Sequence, residues 1–167
     1  MVTSSGNPAY DAIRTRRVTR HMSSEPVTSE DLDLVRAAAR WAPNAGNRRL
    51  QPVISVTDPT LLRLLRLVSP GMVPRPPAAL VVCVDTHRAS DFGFAPDWRG
   101  LFVDVGTTAA TLLLAAHSLG LASCPVTSFS RAAVARLLDL PPGVRPELVV
   151  CLGHHAVEQP ATMSALS

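Results

Sequence analysis

A long apolar helix constrains the fold of this 167-residue chain more than any other feature. The pattern predicts helix over residues 98–119, and residues 107–116 are apolar nearly all the way round. Gly120 predicts its end, because glycine readily adopts the left-handed conformation that follows a helix. A helix without a polar face must be buried, so we expect it in the middle of a domain or of a dimer. Asp104 and His117, which it carries, are expected to have structural roles.

The composition predicts one domain with a core of small aliphatic side chains. A chain of this length has room for one α/β domain and not for two. Hydrophobic residues make up 47% of the chain but aromatic residues only 4%, so alanine, valine and leucine must fill the core. This apolar surplus also predicts surface buried between subunits. The net charge of +3 is too small, and the arginines too dispersed, to indicate nucleic acid.

The order of predicted elements is ααβαβαβ-like, with two successive helices before the last strand, in a single domain over residues 8–156. Helices are predicted over residues 8–17, from the capping residue Thr28 to Trp41, and over 60–68, 98–119 and 131–138. Strands are predicted over residues 53–56, 79–85 and 147–152. Residues 86–97 and 122–129 are expected to be loops. Residues 157–167 have no periodicity and are expected to be an arm or a disordered tail.

The cysteines and the N-terminus indicate a cytoplasmic protein. The three cysteines Cys83, Cys124 and Cys151 lack metal or redox spacing and lie in or beside apolar runs, which predicts small buried side chains in a reducing compartment. The polar N-terminus does not resemble a signal peptide, and no apolar run approaches the ~20 residues of a membrane span. Two adjacent histidines, His154 and His155, lack a third ligand, so no metal site is predicted.

Two polar clusters are the candidate binding residues. Arg16, Arg17 and Arg20 close the first predicted helix, and residues 42–49 form a loop rich in proline, asparagine and glycine. Clustered guanidiniums and amide donors suit a small oxygen-rich anion, which indicates a phosphorylated cofactor. Arginines at a helix end can also be solvated partners of the helix dipole, and such a loop can be a plain connection. No glycine-rich phosphate fingerprint supports a Rossmann domain.

The motifs resemble, in order and spacing, those of the FMN-dependent nitroreductase family. The run from Arg16 to Arg20 is similar to the family's RRSxR motif, and residues 42–48 are similar to its proline- and asparagine-rich loop. Residues 104–121 resemble the central LLAAxxxGLG helix, residues 123–129 the loop after it, and residues 149–153 the last core strand. Residues 69–71, 81–85 and 124–129 look most like the flavin subunit of cyclic dipeptide oxidases.

The resemblance implies an α+β fold of three layers, with a central mixed or antiparallel sheet, a long buried central helix and an intertwined homodimer. FMN would lie between the subunits, and its N5 atom rather than a catalytic side chain would carry hydride from NAD(P)H to a nitroaromatic or quinone acceptor. One alternative is a dehydrogenase or oxidase of the cyclic-dipeptide type that acts with a small partner subunit. Another is a flavin-binding or sequestering protein without catalysis.

The resemblance also implies roles for individual residues. Arg16 and Arg20 would bind the phosphate and the N1–O2 edge of the flavin, with Arg17 beside the ribityl chain. Asn44 and Asn47 would serve the neighbouring subunit's flavin, and the backbone N–H groups near Thr127 and Ser128 would face N5 and O4. The predicted cofactor-binding residues are Arg16, Arg17, Val18, Arg20, Pro43, Asn44, Ala45, Asn47, Arg49, Pro125, Val126, Thr127 and Ser128, with Pro125 packed on the ring.

The sequence departs from the family pattern at three places. Val18 stands where the family has serine, so one hydroxyl contact to the phosphate is lost. In the ungapped alignment, which we favour, Arg49 takes a position usually held by glutamine; a two-residue insertion would instead align Gln51 with it. No lysine or arginine follows Gly153, where the family has a basic pair. We therefore expect weaker FMN binding, or binding that depends on a partner, and no arm embracing a second subunit.

Overall fold

The computed structural model describes residues 6–156, so the predicted tail at 157–167 lies outside the described residues. The helices are α1 (Pro8–Thr15), α2 (Ser29–Ala38), α3 (Pro59–Leu67), α4 (Thr86–Asp91), α5 (Arg99–Ser118) and α6 (Arg131–Leu137). The strands are β1 (Val53–Val56), β2 (Ala78–Asp85), β3 (Ala122–Val126) and β4 (Val144–Gly153).

The four strands form one antiparallel sheet in the order β1-β2-β4-β3. The central strand β2 is buried on both faces, which explains its nearly continuous apolar run. Its side chains alternate, so that Leu80 and Val82 enter one core cluster and Val81 and Cys83 the other.

Helices cover both faces of the sheet. The helices α2 and α5 supply Val35 and Leu112 to one cluster, whereas α3 and α6 supply Leu65 and Val134 to the other. The result is a three-layer α+β arrangement. Buried alanine, valine and leucine dominate both clusters, as the composition predicts.

The helix α5 is buried on one side only within a single chain. Leu101 and Leu112 are fully buried against the sheet, but Phe102 and Val103 are 42% and 64% exposed. The helix is thus partly buried within one chain, and the sequence pattern predicts it in the middle of a domain or of a dimer. By length and composition alone, this 20-residue helix could also cross a membrane, which the sequence pattern did not predict. Its contacts are those of a core helix, since it packs on β2, β3 and β4.

The structure differs from the sequence prediction in two missed elements and in several boundaries. Part of the expected loop 122–129 is the strand β3. Its Pro125 argued against a strand, because proline is tolerated only in edge strands, and β3 lies at the edge of the sheet. The expected loop 86–97 contains α4, which begins where the Asp85 carboxylate accepts the Arg88 N–H. The strand β4 begins at Val144 rather than residue 147, and α1 ends at Thr15 rather than residue 17.

We expect Leu65→Ala to lower the free energy of unfolding by about 2–5 kcal/mol, because it leaves a cavity under α3. The matched control is Leu67→Ala on the same helix, where the side chain is 76% exposed and the change should stay within about 0.5 kcal/mol. Urea unfolding measures both. Equal losses in the two variants would contradict the described packing of α3.

Candidate functional site

The segment after α1 positions the arginine cluster. The helix ends at Thr15 and the chain continues extended, with Arg16 at φ −53° and ψ 132°. The Thr19 N–H donates to the Ser123 carbonyl of β3 at 2.9 Å, and the Ser23 N–H donates to the His154 carbonyl at 3.0 Å. We call residues 16–23 the linker segment. It runs along β3 and carries Arg16 and Arg20 to that strand.

The three arginines of the cluster have different surroundings. The Arg16 side chain buries its Nη1 atom without a hydrogen-bond partner among residues 6–156. By contrast, Arg17 Nη1 donates to the carbonyls of Arg14 and Arg16 at 2.7 and 2.9 Å, so it is bound to the end of α1. In an extended segment residues four apart point to the same side and lie about 13 Å apart, which is the arrangement expected for Arg16 and Arg20. Val18, between them, is 39% exposed.

The turn after β3 offers backbone donors that no described residue uses. Pro125 is half-buried, Val126 is buried, and Thr127 and Ser128 are exposed. Within residues 6–156 the N–H groups of Thr127 and Ser128 donate no hydrogen bond. The Ser128 carbonyl accepts the Gly71 N–H at 3.0 Å, and a Cβ on Gly71 would lie 2.9 Å from the Ser128 Cβ. This close approach fixes the turn after β3.

The loop of residues 42–49 is held in shape by its own asparagine. Asn44 Oδ1 accepts the Arg49 N–H at 3.0 Å, and Asn44 Nδ2 donates to the Ala42 carbonyl at 3.1 Å. Asn47 and Arg49 adopt positive φ angles of 54° and 51°, and both are exposed. Asn44 therefore shapes the loop through the backbone of Arg49, whereas the side chains of Asn47 and Arg49 form no hydrogen bond with residues 6–156.

Two residues of α5 anchor this loop. The carboxylate of Asp104, 7% exposed, accepts the Ala45 N–H at 3.0 Å. The Thr107 hydroxyl donates to the Pro43 carbonyl at 2.7 Å. Sequence reasoning placed Asp104 in a structural role but missed that its partner is a candidate binding loop, because the contact spans 59 residues of chain.

The loop contacts the first half of α5, whereas the residue before the arginine cluster contacts its last turn. The Thr15 hydroxyl, next to Arg16, lies 2.9 Å from His117 Nε2 in the last turn of α5, whereas Thr107 holds the loop. The ten-residue step from Thr107 to His117 corresponds to about 15 Å of helix. We call the two groups of predicted residues half-sites. One is the linker segment together with residues 125–128 at the end of β3, the strand that the linker segment contacts at Ser123, and the other is the loop of residues 42–49.

Gln51, the alternative to Arg49 in the alignment, lies in a different environment. It is 9% exposed, and its Nε2 atom has no hydrogen-bond partner among residues 6–156. Together with Arg49 and Val53 it lines a cavity of about 330 Å³ under α2.

The cysteines do not take part in either half-site as nucleophiles. All three are buried and free. Burial, with a smaller contribution from the Glu147 charge, raises the pKa of Cys83 to about 12. Burial likewise raises the pKa of Cys151 to about 12, and it raises the pKa of Cys124 against an opposing effect of Arg20. Protonated, buried thiols are poor nucleophiles, so the predicted role as small core side chains is confirmed.

We expect Asp104→Ala to increase hydrogen exchange at the Ala45 amide by about tenfold or more, because the amide loses a charged acceptor. Asp104→Asn is the matched control, since its side-chain oxygen can still accept the bond. Exchange measured by NMR at Ala45 should be fast in the first variant and largely restored in the second. An unchanged rate in Asp104→Ala would rule out this anchor.

The family comparison matches almost the whole described chain. The model described as the nitroreductase family matches residues 13–86 and 65–154. A protein of Methanothermobacter thermautotrophicus named "Putative NADH dehydrogenase/NAD(P)H nitroreductase" is 32% identical over 158 residues, covering 91% of this chain and 79% of that protein. An "FMN reductase [NAD(P)H]" of Bacillus subtilis is 29% identical and covers 90% of this chain and 67% of that protein.

Solved structures share the fold. A crystal structure from Parabacteroides distasonis, with the same protein name as the archaeal relative, superposes with a TM-score of 0.80 at 28% identity. It covers 92% of this chain and 90% of that chain. The structure of NfrA2 of B. megaterium superposes with a TM-score of 0.79 at 27% identity, covering 92% of this chain and 69% of that chain.

Proposed function

Because this chain belongs to the nitroreductase family of oxidoreductases, we propose that it is an FMN-dependent enzyme that works as a homodimer through a single domain over residues 8–156. It takes hydride from NAD(P)H and passes it to a nitroaromatic or quinone acceptor. The observation that carries the proposal is the division of the candidate residues between two half-sites, one held by the first half of α5 and the other next to its last turn.

The arginine half-site fits the anionic part of FMN. Arg16 Nη1 is a buried donor without a partner among the described residues, and such a group is costly unless something accepts its hydrogen bond. Arg20 adds a second positive charge on the same side of the linker segment. A flavin phosphate would satisfy the buried donor and neutralise both charges.

When bound, FMN supplies the hydride-accepting chemistry, and the protein binds and orients it. The free N–H groups of Thr127 and Ser128 would orient the ring edge, and Pro125 would pack on its face. Arg20 would hold positive charge near the ring, which favours its reduced, anionic form. Arg17, bound to the end of α1, would support the position of Arg16 by fixing the carbonyl of that residue.

A two-fold symmetric dimer would join the half-sites. Two α5 helices packed antiparallel would bring the loop of residues 42–49 of one chain next to the arginines of the other. The exposed apolar side of α5, with Phe102 and Val103, would supply the interface, and exposed Tyr10 and Ile13 of α1 extend the same kind of surface. The two half-sites of one chain are separated by about 15 Å along α5, and in the dimer each would instead meet the complementary half-site of the other chain.

The choice of donor and acceptor rests on the relatives. They include the B. subtilis FMN reductase that uses NAD(P)H and an oxygen-insensitive NADPH nitroreductase of Salmonella typhimurium, which is 29% identical. The narrower resemblance to cyclic dipeptide oxidases remains a prediction. It would gain support if turnover required a small partner subunit.

We expect Arg16→Ala to weaken FMN binding about 10- to 100-fold, because a charged hydrogen bond to the phosphate is lost. The control is Arg136→Ala, which removes an exposed arginine from α6. Fluorescence quenching on FMN titration measures both. Equal affinity of wild type and Arg16→Ala would refute the phosphate assignment, and bound flavin that NADPH fails to bleach would indicate binding without catalysis.

Mixing two inactive variants tests whether the site is shared between chains. We expect Arg16→Ala and Asn47→Ala each to lose most activity, and an equal mixture of re-associated chains to recover about one quarter of the wild-type rate. Half of the dimers would be mixed, and each mixed dimer would hold one intact site of two. No recovery beyond the separate variants, with mixed dimers demonstrated by differential tags, would show that each site belongs to one chain.

A further inference from the structure

A second cavity lies away from both half-sites. It has a volume of about 590 Å³ and is lined by α3, by residues 75–77 and by residues near Pro26. Three arginines face it: Arg63 and Arg66 of α3, and Arg75 of the segment before β2. None of the residues lining it belongs to the predicted flavin set.

The cavity concentrates positive charge without a counter-charge. None of the described residues that line it carries a carboxylate. Within residues 6–156, the side chains of Arg63, Arg66 and Arg75 form no hydrogen bond or ion pair. Three like charges around one cavity repel each other, and an anion in the cavity would relieve that repulsion.

The arrangement of the arginines suits a phosphate. Arg63 and Arg66 are three apart on α3, so they lie on the same side of the helix. Arg75 belongs to a separate segment of the chain, so the guanidiniums approach the cavity from two elements. Guanidinium groups bind phosphate oxygens in pairs of hydrogen bonds, and two elements can hold more than one oxygen.

The rest of the cavity is apolar and stiff. The buried side chains of Leu62 and Pro76 contribute to its lining, together with Pro59 at the start of α3. Proline rings have little conformational freedom to lose when a ligand packs against them. The volume is in the range of about 300–1,000 Å³ that is usual for small-molecule sites.

We propose that this cavity binds a phosphorylated small molecule that also carries a flat apolar group, the chemistry of a nucleotide. The phosphates contact Arg63, Arg66 and Arg75, and the flat group packs on Leu62 and the prolines. The site is separate from the flavin site and does not depend on the proposed oxidoreductase function.

Calorimetric titration of the full chain in excess FMN tests the proposal, with ADP, inorganic pyrophosphate and adenosine as the probes. We expect ADP to bind one per chain, and pyrophosphate and adenosine each to bind at least about tenfold more weakly, because each lacks half of the contacts. Arg66→Ala and Arg75→Ala should each weaken ADP binding about tenfold. The matched control Arg136→Ala removes one positive charge elsewhere and should not change it.

The proposal would be overturned by no ADP binding at millimolar concentration, by an equal effect of Arg136→Ala, or by adenosine binding as tightly as ADP. If pyrophosphate binds as tightly as ADP, the apolar group of the ligand contributes nothing to binding and the cavity is only an anion site. This result would also contradict the proposal. FMN affinity, measured separately in the same variants, should be unchanged, so that failure here and failure of the flavin proposal give different results.

Discussion

The structure depends on one helix that is tied to both candidate half-sites by hydrogen bonds. In the first half of α5, Asp104 and Thr107 hold the backbone of the loop at Ala45 and Pro43. In the last turn of the helix, His117 contacts Thr15, directly before the arginine cluster. Between these points the helix packs its buried side on the sheet. Its position in the core therefore fixes the spacing between the two groups of polar residues.

The hydrogen bonds from Asp104 and Thr107 hold backbone atoms of the loop and not its side chains. Asp104 and Thr107 bond to an N–H and a carbonyl of the loop, so the loop keeps its path whatever side chains stand at its exposed positions. Asn44 adds two hydrogen bonds within the loop and stabilises residues with positive φ at its end. Asn47 and Arg49 remain exposed on a loop of fixed shape, which is the condition for recognising a planar ligand.

Local patterns predicted most of the fold, and contacts distant in sequence explain what they missed. The buried strand β2, the capped helix α2 and the apolar helix α5 were predictable, because each has its own periodicity. The strand β3 was not, since Pro125 argues against a strand unless an edge position is known. For the site, the arginine cluster and the loop could be found by motif. Motifs could not reveal three features that depend on the tertiary structure. These are the role of Asp104, the binding of Arg17 to the end of α1 and the separation of the half-sites.

The linker segment protects the sheet against aggregation through one of its edges. A sheet of four strands has two edges, and unpaired edges recruit strands from other molecules. The linker segment covers part of the β3 edge through Thr19 and Ser123, and β1 at the other edge has only four residues, Val53–Val56, preceded by Pro52. Cleavage or displacement of the linker segment would therefore expose an edge to aggregation at the same time as it removed the arginines. Resistance to aggregation and the proposed binding of an anion would thus be properties of the same eight residues.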